Sequence, residues 1–150
     1  KTRLTNMAVF FYFHETDLKL DKRKSLKRFI EELFRAEGRH LAKLAYIFCT
    51  DEYLLSINQQ YLQHDTYTDI LTFDLSDSPR SVIGEIYISA DRVRENAQKF
   101  GLSFENELYR VIFHGALHLC GQGDKTKNEQ KAMRNKEEKY LKQYRMIKQF

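Results

Sequence analysis

Residues 103–124 have the sequence SFENELYRVIFHGALHLCGQGD, which predicts the central helix of the fold. Apolar side chains recur through this stretch at helical spacing, so one face of the helix is expected to be buried. Ser103 is a favourable residue for capping the amino terminus of a helix. Gly121 can adopt the positive φ that commonly ends one. We therefore expect a helix from Ser103 to about Cys120.

Strands and further helices are predicted around this helix. Apolar and alternating patterns predict four strands, at residues 8–13, 43–50, 69–75 and 82–89. Helices are predicted before Gly38, from Thr50 to about Tyr61, up to Phe100, and after the capping-box pair Thr126 and Glu129. The turn at Asp77-Ser78-Pro79 predicts antiparallel pairing of the last two strands. The sequence thus indicates an α+β fold, with a mixed sheet of about four strands and about five helices.

Length and composition favour one folded domain. The chain has 150 residues, of which 42% are hydrophobic, and this composition excludes a disordered chain. We expect a single domain over residues 1–150, with residues 1–6 as a loose leader. The sequence contains no apolar run of roughly 18 residues, the length a membrane span requires, and nothing resembling a signal peptide. We therefore expect a cytoplasmic protein without a membrane partner.

The charge balance permits an acidic partner without requiring one. The formal net charge is +4 at pH 7, and basic residues cluster in residues 19–28 and 125–148. A basic surface of this kind is compatible with RNA binding. Both clusters also contain acidic residues, so solvated helix faces explain them equally well.

Two histidines and an aspartate form a candidate metal site. His114 and His118 are four residues apart, so their imidazoles project from one face of the predicted helix. The turn at Gly121 can bring Asp124 towards them. Two imidazoles and one carboxylate leave a coordination position for water, as catalytic zinc sites do. A histidine pair at this spacing is weak evidence alone, and Gly115 replaces the glutamate of the metalloprotease motif HExxH.

The sequence around these residues resembles a known family. HGALHLCG, residues 114–121, resembles the HGxLHLxG signature of the bacterial YbeY family of metal-dependent endoribonucleases. Asn58, Tyr61, Asp65 and residues 68–73 (TDILTF) resemble its motif N-x-x-Y-R-x-x-D-x-P-T-D-V-L-S-F, and residues 84–89 (GEIYIS) resemble G-D-I-x-I-S. The resemblance implies one α+β domain with a metal cleft beside the histidine-bearing helix. It also implies cleavage of single-stranded RNA in rRNA maturation, at the 3′ end of 16S rRNA, and a role with the ribosome in its quality control.

The chain departs from the family pattern at four positions. Asp124 stands where the family has its third histidine ligand, and a one-residue gap would instead place Lys125 there, which is a poor ligand at neutral pH. We expect Asp124 to be the third ligand. Leu62 replaces an arginine that the family uses at its site, Tyr67 replaces a proline, and Glu85 replaces an aspartate.

Other residues are weaker candidates. Asp69 and Glu85 are candidate catalytic residues, although an acid at the start of a strand is more often a turn residue and an acid within one more often faces solvent. His64 is a candidate RNA contact or an exposed loop residue. Tyr109 and Phe113 could stack on bases, but their helical spacing favours the core.

The cofactor and the function have alternatives. We expect one divalent metal ion, with zinc preferred and nickel, manganese or iron possible for this ligand set. The leading hypothesis is an endoribonuclease acting on an rRNA precursor. Two histidines and a carboxylate also fit another metal-dependent hydrolase or a non-haem iron enzyme. A third hypothesis is a non-catalytic, ribosome-associated RNA-binding module, which the leucine at position 62 favours.

Overall fold

The computed structural model describes residues 7–62 and 68–148 of the chain. Four strands and five α-helices follow one another within these residues: β1 Val9–Phe13, α1 Arg23–Ala36, β2 Leu41–Cys49, α2 Asp51–Ile57, β3 Ile70–Asp74, β4 Val82–Ser89, α3 Ala90–Lys99, α4 Phe104–Leu119 and α5 Lys127–Lys148. The predicted α+β class and the number of elements are therefore confirmed.

The four strands form one mixed sheet in the order β1-β2-β4-β3. β2 pairs in parallel with both β1 and β4, whereas β3 pairs antiparallel with β4. The antiparallel pairing predicted from the turn between β3 and β4 is therefore confirmed. β3 lies at the edge of the sheet, and its first residue, Ile70, lies beside Gly115 of α4.

The main core lies between one face of the sheet and helices α1, α4 and α5. Side chains of alternate residues point to this face because successive residues of a strand face opposite sides. Tyr46 of β2 is fully buried here, and its hydroxyl donates a 2.8 Å hydrogen bond to the carbonyl of Ile112 in α4. Tyr109 and Phe113 are 4% and 0% exposed, so their assignment to the core is confirmed.

Two glycines allow α4 to lie directly against β4. A Cβ atom at Gly115 would lie 2.9 Å from a side-chain carbon of Ile86, and one at Gly84 would lie 2.7 Å from Leu119. These separations leave no room for a larger residue without movement. Gly84 and Ile86 thus face α4, and Glu85 between them faces the other side of the sheet.

The other side of the sheet is partly covered by α2. Cys49, Leu54, Ile57 and Leu71 form a second, smaller buried cluster there. The helix predicted from Thr50 to about Tyr61 is present, but it is α-helical only over Asp51–Ile57 and continues as the π-helical segment Asn58–Leu62. Apolar spacing does not distinguish a π-helical turn from an α-helical one over five residues.

Two sequence expectations concern the chain ends and membranes. Residues 1–6, expected to be a loose leader, lie outside the described residues. Among the helices that the structure describes, none combines the length and the apolar character needed to cross a membrane.

Candidate metal centre

His114 and His118 are presented side by side by the last turns of α4. Their ring centroids are 4.6 Å apart, and the ring planes are nearly perpendicular, at 87°. The opposite face of the helix is packed in the core, and this packing fixes the direction of the two imidazoles. The side chains are 18% and 28% exposed, so both rings are accessible from solvent.

The end of α4 directs the chain back towards the histidines. Gly121 has φ +99°, and its N–H donates to the carbonyl of His118, while the N–H of Gln122 donates to Leu117. These two bonds form the Schellman motif that ends helices at a left-handed residue. Asp124 follows three residues later, with its Oδ2 atom 3.2 Å from Nε2 of His118.

A second cap holds the segment after the turn. The N–H groups of Lys125 and Thr126 donate to the carboxylate of Glu129, at 2.9 and 3.2 Å. The N–H of Glu129 donates in return to Oγ1 of Thr126 at 3.1 Å, so the predicted capping box is present. This box fixes the backbone beside Asp124, whereas the residue Lys125 is exposed.

The three side chains fit a single metal ion. Their ligand atoms all lie within 4.8 Å of one another, and Oδ2 of Asp124 is also 3.6 Å from Nε2 of His114. Tetrahedral zinc with ligands at about 2.0–2.1 Å requires ligand atoms about 3.3–3.4 Å apart. The two separations measured from Oδ2 of Asp124, 3.2 and 3.6 Å, bracket that value. A four-coordinate ion held by these three side chains would keep one position for water or substrate.

A buried charged network lies behind His114. Nδ1 of His114 is 2.6 Å from Oε2 of Glu137 in α5, and Glu137 is 3% exposed. Arg110 donates to the other oxygen of Glu137 at 3.2 Å. It also donates twice to Glu107, at 2.9 and 2.6 Å, and these hydrogen bonds raise the pKa of the Arg110 guanidinium.

Asp69 lies next to this network. Burial raises the pKa of its carboxyl group, and the positive charge of the nearby Arg110 guanidinium partly opposes that shift. Its backbone carbonyl accepts a 3.0 Å hydrogen bond from the N–H of Ser89. The carboxyl group of this candidate thus lies near His114 and Arg110.

Two other candidates are placed differently. Glu85 faces the side of the sheet opposite α4, where the hydroxyl of Tyr87 donates to its carboxylate at 3.1 Å. The sheet separates Glu85 from the histidines, so this catalytic candidate does not lie beside the metal-ligand candidates. His64 and Tyr67 lie outside the described residues.

The three residues of the charged network, Glu107, Arg110 and Glu137, were not predicted from the sequence. Arg110 lies one turn before His114 on the same helix face, and this spacing was a usable signal. Glu137 occupies a core position in the apolar stripe that Met133, Tyr140 and Tyr144 define in α5. A carboxylate within an apolar stripe indicates a buried partner, but the sequence does not say which one.

Comparisons with known proteins identify the family that the chain resembles. A family model described as Endoribonuclease YbeY matches residues 11–145. Endoribonuclease YbeY of Christiangramia forsetii is 45% identical over 130 residues, covering 87% of this chain and 90% of the relative. Endoribonuclease YbeY of Bacteroides thetaiotaomicron is 43% identical over 135 residues, covering 90% and 98%. A solution structure of a Thermotoga maritima protein matches with a TM-score of 0.58 and 32% identity, covering 87% of this chain and 86% of that one.

Proposed function

The chain belongs to the endoribonuclease YbeY family, and on that basis we propose that it is a metal-dependent endoribonuclease that cleaves single-stranded RNA. The observation that carries the proposal is the convergence of His114, His118 and Asp124 within metal-binding distance of one another. These residues lie within the region that the family model matches.

The proposed cofactor is one divalent metal ion held by these three side chains. Zinc suits a tetrahedral set of two nitrogens and one oxygen, and nickel, manganese and iron accept similar ligands. When bound, such an ion polarises a phosphoryl oxygen or lowers the pKa of a coordinated water. The histidines must present unprotonated Nε2 atoms to bind it, and the carboxylate of Asp124 offsets part of its charge.

Asp69 is the chain's candidate for holding a proton at the site. Its carboxyl group lies near His114, and burial favours the protonated form. A carboxylic acid in this position is suited to donate a proton to, or accept one from, a group bound beside the metal. We assign no catalytic role to Glu85, which lies on the other side of the sheet.

The proposed substrate is an rRNA precursor, at the 3′ end of the small-subunit RNA. A net charge of +4 favours association with the phosphate backbone of RNA. The proposal includes association with the ribosome, a part in its quality control and a cytoplasmic location, where such precursors are processed. His64 is kept as a candidate RNA contact.

A non-catalytic RNA-binding module is the second candidate function. The observation that favours it is Leu62, which cannot supply the positive charge of the arginine in the family motif. Metal binding and RNA binding would both persist in such a protein, but cleavage would not occur.

Cleavage of a labelled single-stranded RNA by the full chain distinguishes the two functions. We expect cleavage with added zinc or manganese, loss of cleavage with a chelator, and recovery when the metal is returned. The variant His118→Ala should remain inactive under all three conditions. RNA binding without cleavage under any metal would contradict the enzyme and support the binding module. Cleavage that persists in the chelator and in His118→Ala would point to a contaminating nuclease.

A further inference from the structure

A buried carboxylate from a second helix holds the ring of His114. Oε2 of Glu137 in α5 is 2.6 Å from Nδ1 of His114 in α4. Glu137 is 3% exposed, although a glutamate is rarely buried unless it is paired. An ionised carboxylate only accepts hydrogen bonds, so the proton between these two groups belongs on Nδ1.

This arrangement leaves the other ring nitrogen free for a metal. With the proton on Nδ1, Nε2 of His114 carries a lone pair, and Nε2 is the atom that lies 3.6 Å from Asp124. The two neutral tautomers of histidine are otherwise close in energy, and only one of them can bind a metal through Nε2.

Arg110 holds the carboxylate of Glu137, which selects the tautomer of His114. Its Nη1 donates to Oε1 of Glu137 at 3.2 Å, so both carboxylate oxygens are engaged. Two further hydrogen bonds from Arg110 to Glu107 hold the guanidinium in place. The Glu107–Arg110 pair is formally neutral, so the charge of Glu137 remains to favour a cation at the site.

We propose that Glu137 is a positioning residue of the metal centre, which fixes His114 in the tautomer that presents Nε2 to the metal. The role rests on the metal site of the proposed function, but it does not depend on the RNA substrate. Outer partners of this kind orient metal-binding histidines and raise their basicity. Glu137 acts through His114 and is not assigned any contact with substrate.

The variant Glu137→Gln tests the role with almost no change in shape. Arg110 is always a donor, so the amide oxygen of the new glutamine is expected to face it. The amide NH₂ then faces His114 and donates to Nδ1, which moves the ring proton to Nε2 and blocks coordination. We expect the affinity for zinc to fall by about 10- to 100-fold.

Glu37→Gln is the matched control. Glu37 also anchors α5 through a carboxylate, since Lys136 and Tyr140 each donate to it at 2.6 Å, but these hydrogen bonds involve neither His114 nor Arg110. We expect this variant to bind zinc as the wild-type chain does, even where its thermal stability falls. Equal losses of affinity in both variants would overturn the proposal, because they would indicate general damage to the packing of α5.

The tautomer itself is measurable in the metal-free wild-type chain by nitrogen-15 NMR of the histidine rings. We expect the proton of His114 on Nδ1 in the wild type and on Nε2 in Glu137→Gln. A wild-type ring with its proton on Nε2 would overturn the proposal without any variant. If Glu137→Gln binds zinc as tightly as the wild-type chain does, the positioning role of Glu137 is overturned and the metal centre is not. A wild-type chain that binds no metal would overturn the metal centre of the proposed function, and this role with it.

Discussion

Nε2 of His118 lies 3.2 Å from Oδ2 of Asp124, across the turn that ends α4. The contact joins the last turn of a core helix to a segment held by the capping box of the next helix. Neither side chain therefore depends on a long loop for its position. A metal centre built on two fixed helix ends requires little reorganisation to bind its ion, and this geometry leads to the predictions that follow.

Removing one histidine should remove the metal and leave the fold intact. We expect the purified wild-type chain to hold about one transition-metal ion, as three convergent ligands imply. His118→Ala should hold almost none and keep its circular dichroism spectrum, because the imidazole lies outside the buried face of α4. The control His40→Ala changes an exposed histidine and should keep full metal content. Elemental analysis that finds full occupancy in His118→Ala would contradict the assignment.

Replacing Asp124 by histidine should preserve binding and change the pH profile. An anionic carboxylate cancels part of the charge of the metal, so a third neutral imidazole should make the bound water more acidic. We expect Asp124→His to retain metal and to shift the pH dependence of RNA cleavage to lower values. A profile that moves to higher pH, measured with the same metal, would contradict this charge argument.

The local parts of the fold and site were predictable from the sequence, whereas the contacts between distant segments were not. Ser103, Gly121 and the pair Thr126 and Glu129 carry helix-end signals in their residue types, and the structure places caps at each. The partner of Glu137 lies 23 residues away on another helix, and no local pattern encodes that pairing.

The position of Glu85 illustrates the same limit. Strand alternation separates Glu85 from its neighbours Gly84 and Ile86, but only the packing of α4 decides which set faces the metal site. The sequence could therefore say that Glu85 and Ile86 face opposite sides. It could not say which side carries the histidines.

RNA binding should weaken steeply with salt. Basic side chains that contact phosphates release counterions, so the logarithm of the affinity should fall linearly with the logarithm of salt concentration. Titrations of the metal-loaded chain with a single-stranded RNA at several salt concentrations measure the slope. A flat response would contradict a backbone-binding mode and favour a small-molecule substrate.

Glu37 should stabilise the fold more at neutral than at acidic pH. Burial alone would raise its pKa, but the hydrogen bonds from Lys136 and Tyr140, both 2.6 Å, hold the pKa of Glu37 below its usual value. A lowered pKa stabilises the folded state at pH values above the usual glutamate pKa. This contribution is lost as the pH falls from that value through the lowered pKa of Glu37. Glu37→Ala should cost about 1–3 kcal/mol of unfolding free energy at pH 7, because the Tyr140 hydroxyl loses its acceptor.

Urea unfolding at pH 7 and at acidic pH measures this difference. Glu32→Ala is the control, since Glu32 is an exposed glutamate of α1 paired with Arg35 and should contribute less than about 0.5 kcal/mol. A loss in Glu37→Ala that is the same at both pH values would mean that its ionisation is not linked to folding.

The zinc affinities of Asp124→Ala and Lys125→Ala, measured side by side by competition with a chromogenic chelator, test the metal centre most directly. The two variants alter adjacent residues in the segment between α4 and α5, so they share any effect of disturbing it. We predict a sharp loss of zinc affinity in Asp124→Ala and almost none in Lys125→Ala, because Asp124 lies within ligand distance of both histidines whereas Lys125 is exposed. Loss of zinc binding in Lys125→Ala, with wild-type affinity in Asp124→Ala, would contradict the account.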